Sequence, residues 1–314
     1  MQKLRQSGTL TGFVLIIVFF SFQLPDTFLT ARNLLNISQQ LSMLAVVAAT
    51  MTIVMVMNDF DLSVGSMASL SGIVAAYLFM NDYSVWAGIG AALLVGIVGG
   101  LLNGILVSVI GILPFVATLG TLTVFSGAAF LLSDGKTIFG RDIPKSFSDF
   151  ARGGIEVGSL KVPMLTITAG FIILLSWYVL EQTNFGRRLY SIGGNREASY
   201  LAGIKVVKLR MFAFALTGLG ASTAGLMYAS RVASANPTQG AGLMLDAIAA
   251  VFLGMTMSRQ GEPRVIFTLV GVLVLGVLDN GMTQMRVDSY IREILVGLIV
   301  ITAVAVSSIS KTHR

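Results

Sequence analysis

Side chains that do covalent chemistry are scarce in this chain. It has no cysteine and one histidine, His313. Disulfides, CxxC redox pairs, thiolate metal sites and histidine-based metal clusters are therefore excluded. No stretch reads Gly, four residues, Gly-Lys and then Ser or Thr, so there is no recognisable phosphate-cradling P-loop. Two groups of polar residues remain. The first is Asp279-Asn280 inside a long apolar run, with Asn103 inside another and Asp61 at the start of a third. A carboxylate at a bilayer centre costs roughly 2.5–3.5 kcal/mol on insertion scales, and such groups usually face a bundle interior or a cavity. All four are candidate path-lining groups. Each has a structural alternative: a packing lock for Asp279, an interhelical hydrogen bond for Asn103, and a helix-capping acid for Asp61.

The second group is the basic stretch Gly186 to Arg210, which holds Arg187, Arg188, Arg196, Lys205, Lys208 and Arg210 against Glu197 alone. Gly193 and Gly194 suit a sharp turn. Asn195 can cap a short helix through Arg196, Glu197, Ala198, Ser199, Tyr200, Leu201 and Ala202, and Gly203 can end it. Such a helix could be a docking knob for a soluble partner. The residues alone leave this level with a plain positive-inside anchor.

The elements that must position these groups are membrane helices. Charged residues are 11% of the chain and hydrophobic residues 55%, with a mean hydropathy of +0.84. A soluble protein of this length needs a far more polar exterior. The net charge of +6 forms no continuous patch, so nucleic acid is not an expected partner. We read an all-α integral membrane protein, a single domain over 1–314, with about ten hydrophobic segments. They lie near 10–24, 41–57, 62–80, 84–112, 114–132, 163–181, 211–230, 246–257, 265–285 and 290–308. A crossing helix needs about 20 apolar residues. Segment 62–80 is rich in Ser and Gly, and 246–257 is short, so both are expected to be broken or re-entrant. The first segment, with no small-residue cleavage site after it, reads as a retained span. The Lys/Arg bias places both termini and the 182–210 loop in the cytoplasm, and the 133–162 loop outside. Ser84, Gly88, Ala92, Gly96, Gly100, Gly104 and Ser108 recur every fourth residue, a stripe suited to close helix packing.

Several stretches resemble the permease subunits of bacterial ABC sugar importers of the ribose, xylose and arabinose type. Asp61 to Ser66 reads DLSVGS, Pro114 to Thr121 reads PFVATLGT, and Arg231 to Ala250 carries Asn236-Pro237, Gly240, Gly242 and LDAIAA. Together with the Gly193 to Gly203 loop they follow the family's order. The chain departs from the family at Asn58-Asp59, where two glycines are usual. It departs again at Met257 to Arg264, where a Gly-rich loop is usual, and at Asp279-Asn280, where paired asparagines are common. These departures bear on the exact substrate rather than on the class.

The resemblance implies a transport subunit without covalent chemistry of its own. ATP and Mg would be held on partner ATPase subunits, with Gly193, Gly194, Asn195, Glu197, Ala198, Ala202 and Gly203 as the coupling region. It also implies a second permease chain, identical or different, and a periplasmic sugar-binding protein, in the bacterial inner membrane. The alternative is an ion-coupled secondary transporter, which commonly shows paired repeats and intramembrane acids; here one such acid is clear and no repeat is evident.

Overall fold

In lipid, every backbone N–H and C=O must be satisfied within the protein, so long apolar runs become helices. The computed structural model describes residues 2–158, 160–258 and 260–312, with the side chains of 2–8, 300 and 303–312 left out. His313 and Arg259 lie outside the described residues. The helices are α1 (Gln2–Gln23), α2 (Ala31–Met55), α3 (Val64–Met80), α4 (Val85–Ser108), α5 (Pro114–Ser133), α6 (Lys145–Arg152), α7 (Met164–Trp177), α8 (Asn184–Gly194), α9 (Arg196–Leu201), α10 (Val206–Val232), α11 (Leu243–Met257), α12 (Val265–Gln284) and α13 (Ser289–Thr312).

Each of the ten expected segments falls on a helix. Among the described residues, however, six helices are long and apolar enough to cross a membrane: α2, α4, α5, α7 with its extension to Gln182, α10 and α12. The apolar parts of α1, α3 and α11 are shorter. Neither 62–80 nor 246–257 is broken: α3 runs unbroken for 17 residues and α11 for 15, and both stay shorter than the six long spans. In α3, Ser69 Oγ accepts from the Gly240 N–H at 2.9 Å, and a Cβ on Gly65 would lie 2.5 Å from the Gly240 carbonyl oxygen. The irregular backbone lies before α3, at Asn58 to Ser63, and in a π-turn at Tyr178–Gln182 that ends α7.

Helix α2 is the hub. Every residue from Leu41 to Met57 is buried, as expected of a helix apolar on all faces. Helix α10 packs along α2, α3 and α4. Gly96, Gly100 and Gly104 of the α4 stripe form its seam with α10, while Gly88 lies against Phe79 of α3. A Cβ on Gly100 would stand 2.3 Å from the Phe214 carbonyl oxygen, and one on Gly218 would stand 2.2 Å from that of Gly96. The two backbones therefore touch, which only small residues permit.

Short ladders mark one end of the bundle. β1 (Ile138–Phe139) pairs antiparallel with β4 (Ser234–Ala235), and β2 (Gly154–Val157) forms a hairpin with β3 (Leu160–Pro163). The α5–α7 and α10–α11 connections therefore share this hairpin end, reinforced by Asn236 Nδ2 donating to Thr137 Oγ1 at 2.8 Å. The basic loop meets the α2–α3 and α11–α12 connections, where Asn58 Nδ2 donates to the Gly193 carbonyl at 2.7 Å and Tyr190 Oη to that of Pro263 at 2.9 Å.

Candidate functional site

At the basic-loop end, α8 and α9 form a bent pair. Gly193 and Gly194 do not make the expected turn; they are the last residues of α8. The break falls at Asn195, whose backbone is extended and whose Oδ1 accepts from the Ala198 N–H at 2.9 Å. Gly193 answers a different need. A Cβ there would lie 1.9 Å from the Val56 carbonyl oxygen at the end of α2, whereas one on Gly194 would meet open space. Gly203 ends α9 at φ +80°. Asn195, Glu197, Ala198, Ala202 and Gly203 are exposed, and beside them Tyr200 and Leu201 are 70% and 79% exposed. Ser199 turns inward. Burial first, and the nearby Glu181 carboxylate second, push the Tyr190 phenol above its ordinary range, so it stays a donor to Pro263.

Beneath this pair lies a group the sequence reading did not single out as a site. Asp59 is 1% exposed. Its Oδ2 meets Arg210 Nε at 2.8 Å and its Oδ1 meets Arg210 Nη2 at 2.9 Å, a fork-to-fork pair. Its Oδ1 also accepts from Arg196 Nη2 at 3.1 Å. One buried carboxylate thus ties α9 to the base of α10 and to the α2–α3 connection. The one sequence signal for it was that Asp59 stands where the resembled family usually has glycine.

The four candidate path residues separate into two places. Asp61 and Asn103 belong to one buried knot: Asp61 Oδ1 accepts from the Ser63 N–H at 2.9 Å and from Ser63 Oγ at 2.6 Å, and Asn103 Nδ2 donates to Ser63 Oγ at 2.8 Å. Thr121 Oγ1 donates to Asn103 Oδ1 at 2.6 Å. Asp61 does not sit at the N-cap position of α3, which Ser63 occupies without a side-chain cap. It reaches that end from two residues earlier.

Asp279 and Asn280 are neighbours that face different surroundings. Asn280 exchanges amide hydrogen bonds with Asn33 of α2 at 3.0 and 3.1 Å and accepts from Gln284 at 2.8 Å. Asp279 lies in the final turns of α12, nearer the hairpin end than the bilayer centre that sequence alone suggested. Gln40 Nε2 donates to its Oδ2 at 2.6 Å. Arg292 of α13 lies with Nε 2.8 Å from Asp279 Oδ1 and Nη2 3.1 Å from Asp246 Oδ2. Asp246, expected to start its helix, is in the first turn of α11 and pairs with this arginine. These side chains line a cavity of about 230 Å³ together with Tyr228, Arg231 and Gln239.

A multi-helix membrane bundle with a solute-sized polar cavity at one end and an exposed, firmly tethered helix at the other suits a transport subunit. The chain belongs to the family described as "Branched-chain amino acid transport system / permease component", matched over residues 33–304. It is similar to the ribose import permease protein RbsC of Bacillus subtilis, 37% identical over 97% of this chain and 92% of the relative. Against RbsC of Escherichia coli K12 the identity is 36%, covering 97% and 94%. Against the L-arabinose ABC transporter permease protein AraH of Azospirillum brasilense it is 32%, covering 100% and 90%. No solved structure matches the chain. The chain is thus an ABC importer permease, and nothing among these relatives supports ion-coupled transport.

Proposed function

We propose that this permease carries a monosaccharide, a pentose or a similar polyol, inward across the bacterial inner membrane. Both termini and the 182–210 loop are cytoplasmic, and the 133–162 loop is periplasmic, in keeping with the Lys/Arg bias. The permease hydrolyses no ATP itself. ATP and Mg reside on partner ATPase subunits, a second permease chain of the same or a different sequence completes the path, and a periplasmic binding protein delivers the sugar. The substrate class rests on relatives named for ribose and arabinose that align with nearly the whole chain.

The observation that carries the coupling role is α9. Its exposed residues Tyr200 and Leu201 offer an apolar contact, while Arg196 of the same helix is tied inward to Asp59. ATPase motion received on the exposed face would pass through Asp59 and Arg210 to α10. Ala198→Trp or Ala202→Trp should block ATPase docking and uptake while leaving membrane insertion intact. Co-purification of the ATPase with tagged permease checks this. Normal yield together with normal uptake would remove α9 from the docking role.

A further inference from the structure

The polar cavity at the hairpin end combines features that packing alone does not require. Two carboxylates, Asp246 and Asp279, share one guanidinium, Arg292, within the apolar bundle. All three are only partly buried, with the side chains of Arg292, Asp246 and Asp279 36%, 18% and 17% exposed, so a solute can reach them. Ionisable groups within membrane segments usually face a bundle interior or a cavity and mark a solute pathway. Three donors in the lining also lack a hydrogen bond among the described residues. Gln239 Nε2 is buried and unbonded, although its Oε1 accepts from the Asn236 N–H at 3.1 Å. Arg292 Nε sits at ion-pair distance from Asp279 but makes no aligned hydrogen bond. Arg231 has neither a hydrogen bond nor an ion pair, and its guanidinium offers five N–H groups.

We propose that this cavity is a binding subsite for a neutral polyhydroxy solute of monosaccharide size, holding it inside one permease chain on the periplasmic side. The inference rests on the sugar-importer reading and names the residues that grip the sugar. Two carboxylates face two guanidinium groups, so the lining carries no net charge, and a singly charged ligand would leave the site with an uncompensated charge. A zwitterionic amino acid would have to compete, through its ammonium, with Arg292 for Asp246 and Asp279. A hydroxyl does not, because it donates to a free carboxylate lone pair and accepts from Arg231 or Gln239. The volume, about 230 Å³, lies below the roughly 300–1,000 Å³ of sites for drug-sized ligands and suits one sugar ring.

The natural absence of cysteine provides a direct test on the full-length permease in membrane vesicles. Leu278, partly exposed in the cavity wall, is replaced as Leu278→Cys and labelled with a small water-soluble thiol reagent. Asp134→Cys, on the exposed loop, is the reference. D-ribose, L-arabinose, D-allose and L-leucine are the probes. The subsite predicts that at least one sugar slows labelling of Leu278→Cys, by about tenfold at about ten times its Kd. Leucine does not slow it, and the reference is unchanged. Adding Arg231→Leu or Gln239→Leu abolishes protection while the thiol remains reactive. Should Leu278→Cys fail to assemble, Gly242→Cys serves as the reporter, since Gly242 lines the cavity and an added Cβ there meets open space. Free labelling with every sugar present overturns the subsite; if the intact importer still takes up sugar, the sugar-importer reading stands. Protection by leucine alone overturns both. Protection that survives Arg231→Leu and Gln239→Leu overturns the assigned residues.

Discussion

At the scale of single residues, charge placement explains more than hydrophobicity does. Asp59 and Arg210 are buried beside each other, and Arg196 adds a half-exposed third member. Removing one partner of a buried pair typically costs about 3–5 kcal/mol, because the other charge is left without compensation. Asp59→Leu should therefore destabilise the permease strongly, and Asp59→Leu combined with Arg210→Leu should recover most of the loss. Arg196→Gln, at the exposed edge, should cost about 1 kcal/mol or less yet weaken the link from α9. Thermal unfolding of the purified permease ranks the three. Equal losses in the single and double leucine variants would contradict the buried-pair account.

The same residues show how far sequence reading reached. Asn195 as the cap and Gly203 as the stop of α9 were legible, because capping is local chemistry written in adjacent residues. Asp59 was visible only as a departure from the resembled family, since its partner lies 151 residues away. Gln40, Asp279 and Arg292 come from three different helices. The divergence of Asp279 from Asn280 is a matter of helix rotation that one sequence does not encode legibly.

At the scale of elements, the period of small residues on α4 was a sound guide to packing, but it did not name the partner helix. Gly100 meets the α10 backbone, whereas a Cβ on Gly90 would meet nothing within 4 Å. Gly100→Leu should separate the helices and destabilise the bundle by about 1–3 kcal/mol or more, as overpacking does, while Gly90→Leu should be close to neutral. Thermal unfolding again checks the pair, and the account fails if their effects are equal. The Gly193-Gly194 pair was misread because glycine suits both turns and close approaches. Gly193 serves the latter, against α2, and the turn itself belongs to the extended Asn195. The break considered for α3 was misplaced for a related reason: Ser and Gly in a membrane helix signal close neighbours as readily as a break.

At the scale of the whole molecule, six of the ten hydrophobic segments have the length and composition that bilayer thickness sets, and each of the ten was legible as a helix. Their mutual arrangement was not, because lipid-phase packing depends on contacts between distant segments. The resulting bundle links the basic-loop end to the hairpin end through α2 and α10. The central claim is that ATP on partner subunits drives a monosaccharide through this permease. The most direct measurement is uptake of radiolabelled D-ribose, L-arabinose and D-allose into vesicles holding the permease, with its ATPase and binding protein supplied and the proton gradient collapsed by an ionophore. The account predicts uptake of at least one of these sugars that requires ATP and both partners and persists without the gradient. Uptake by the permease alone that the ionophore abolishes, or ATP-driven uptake of leucine with none of the sugars, would contradict it.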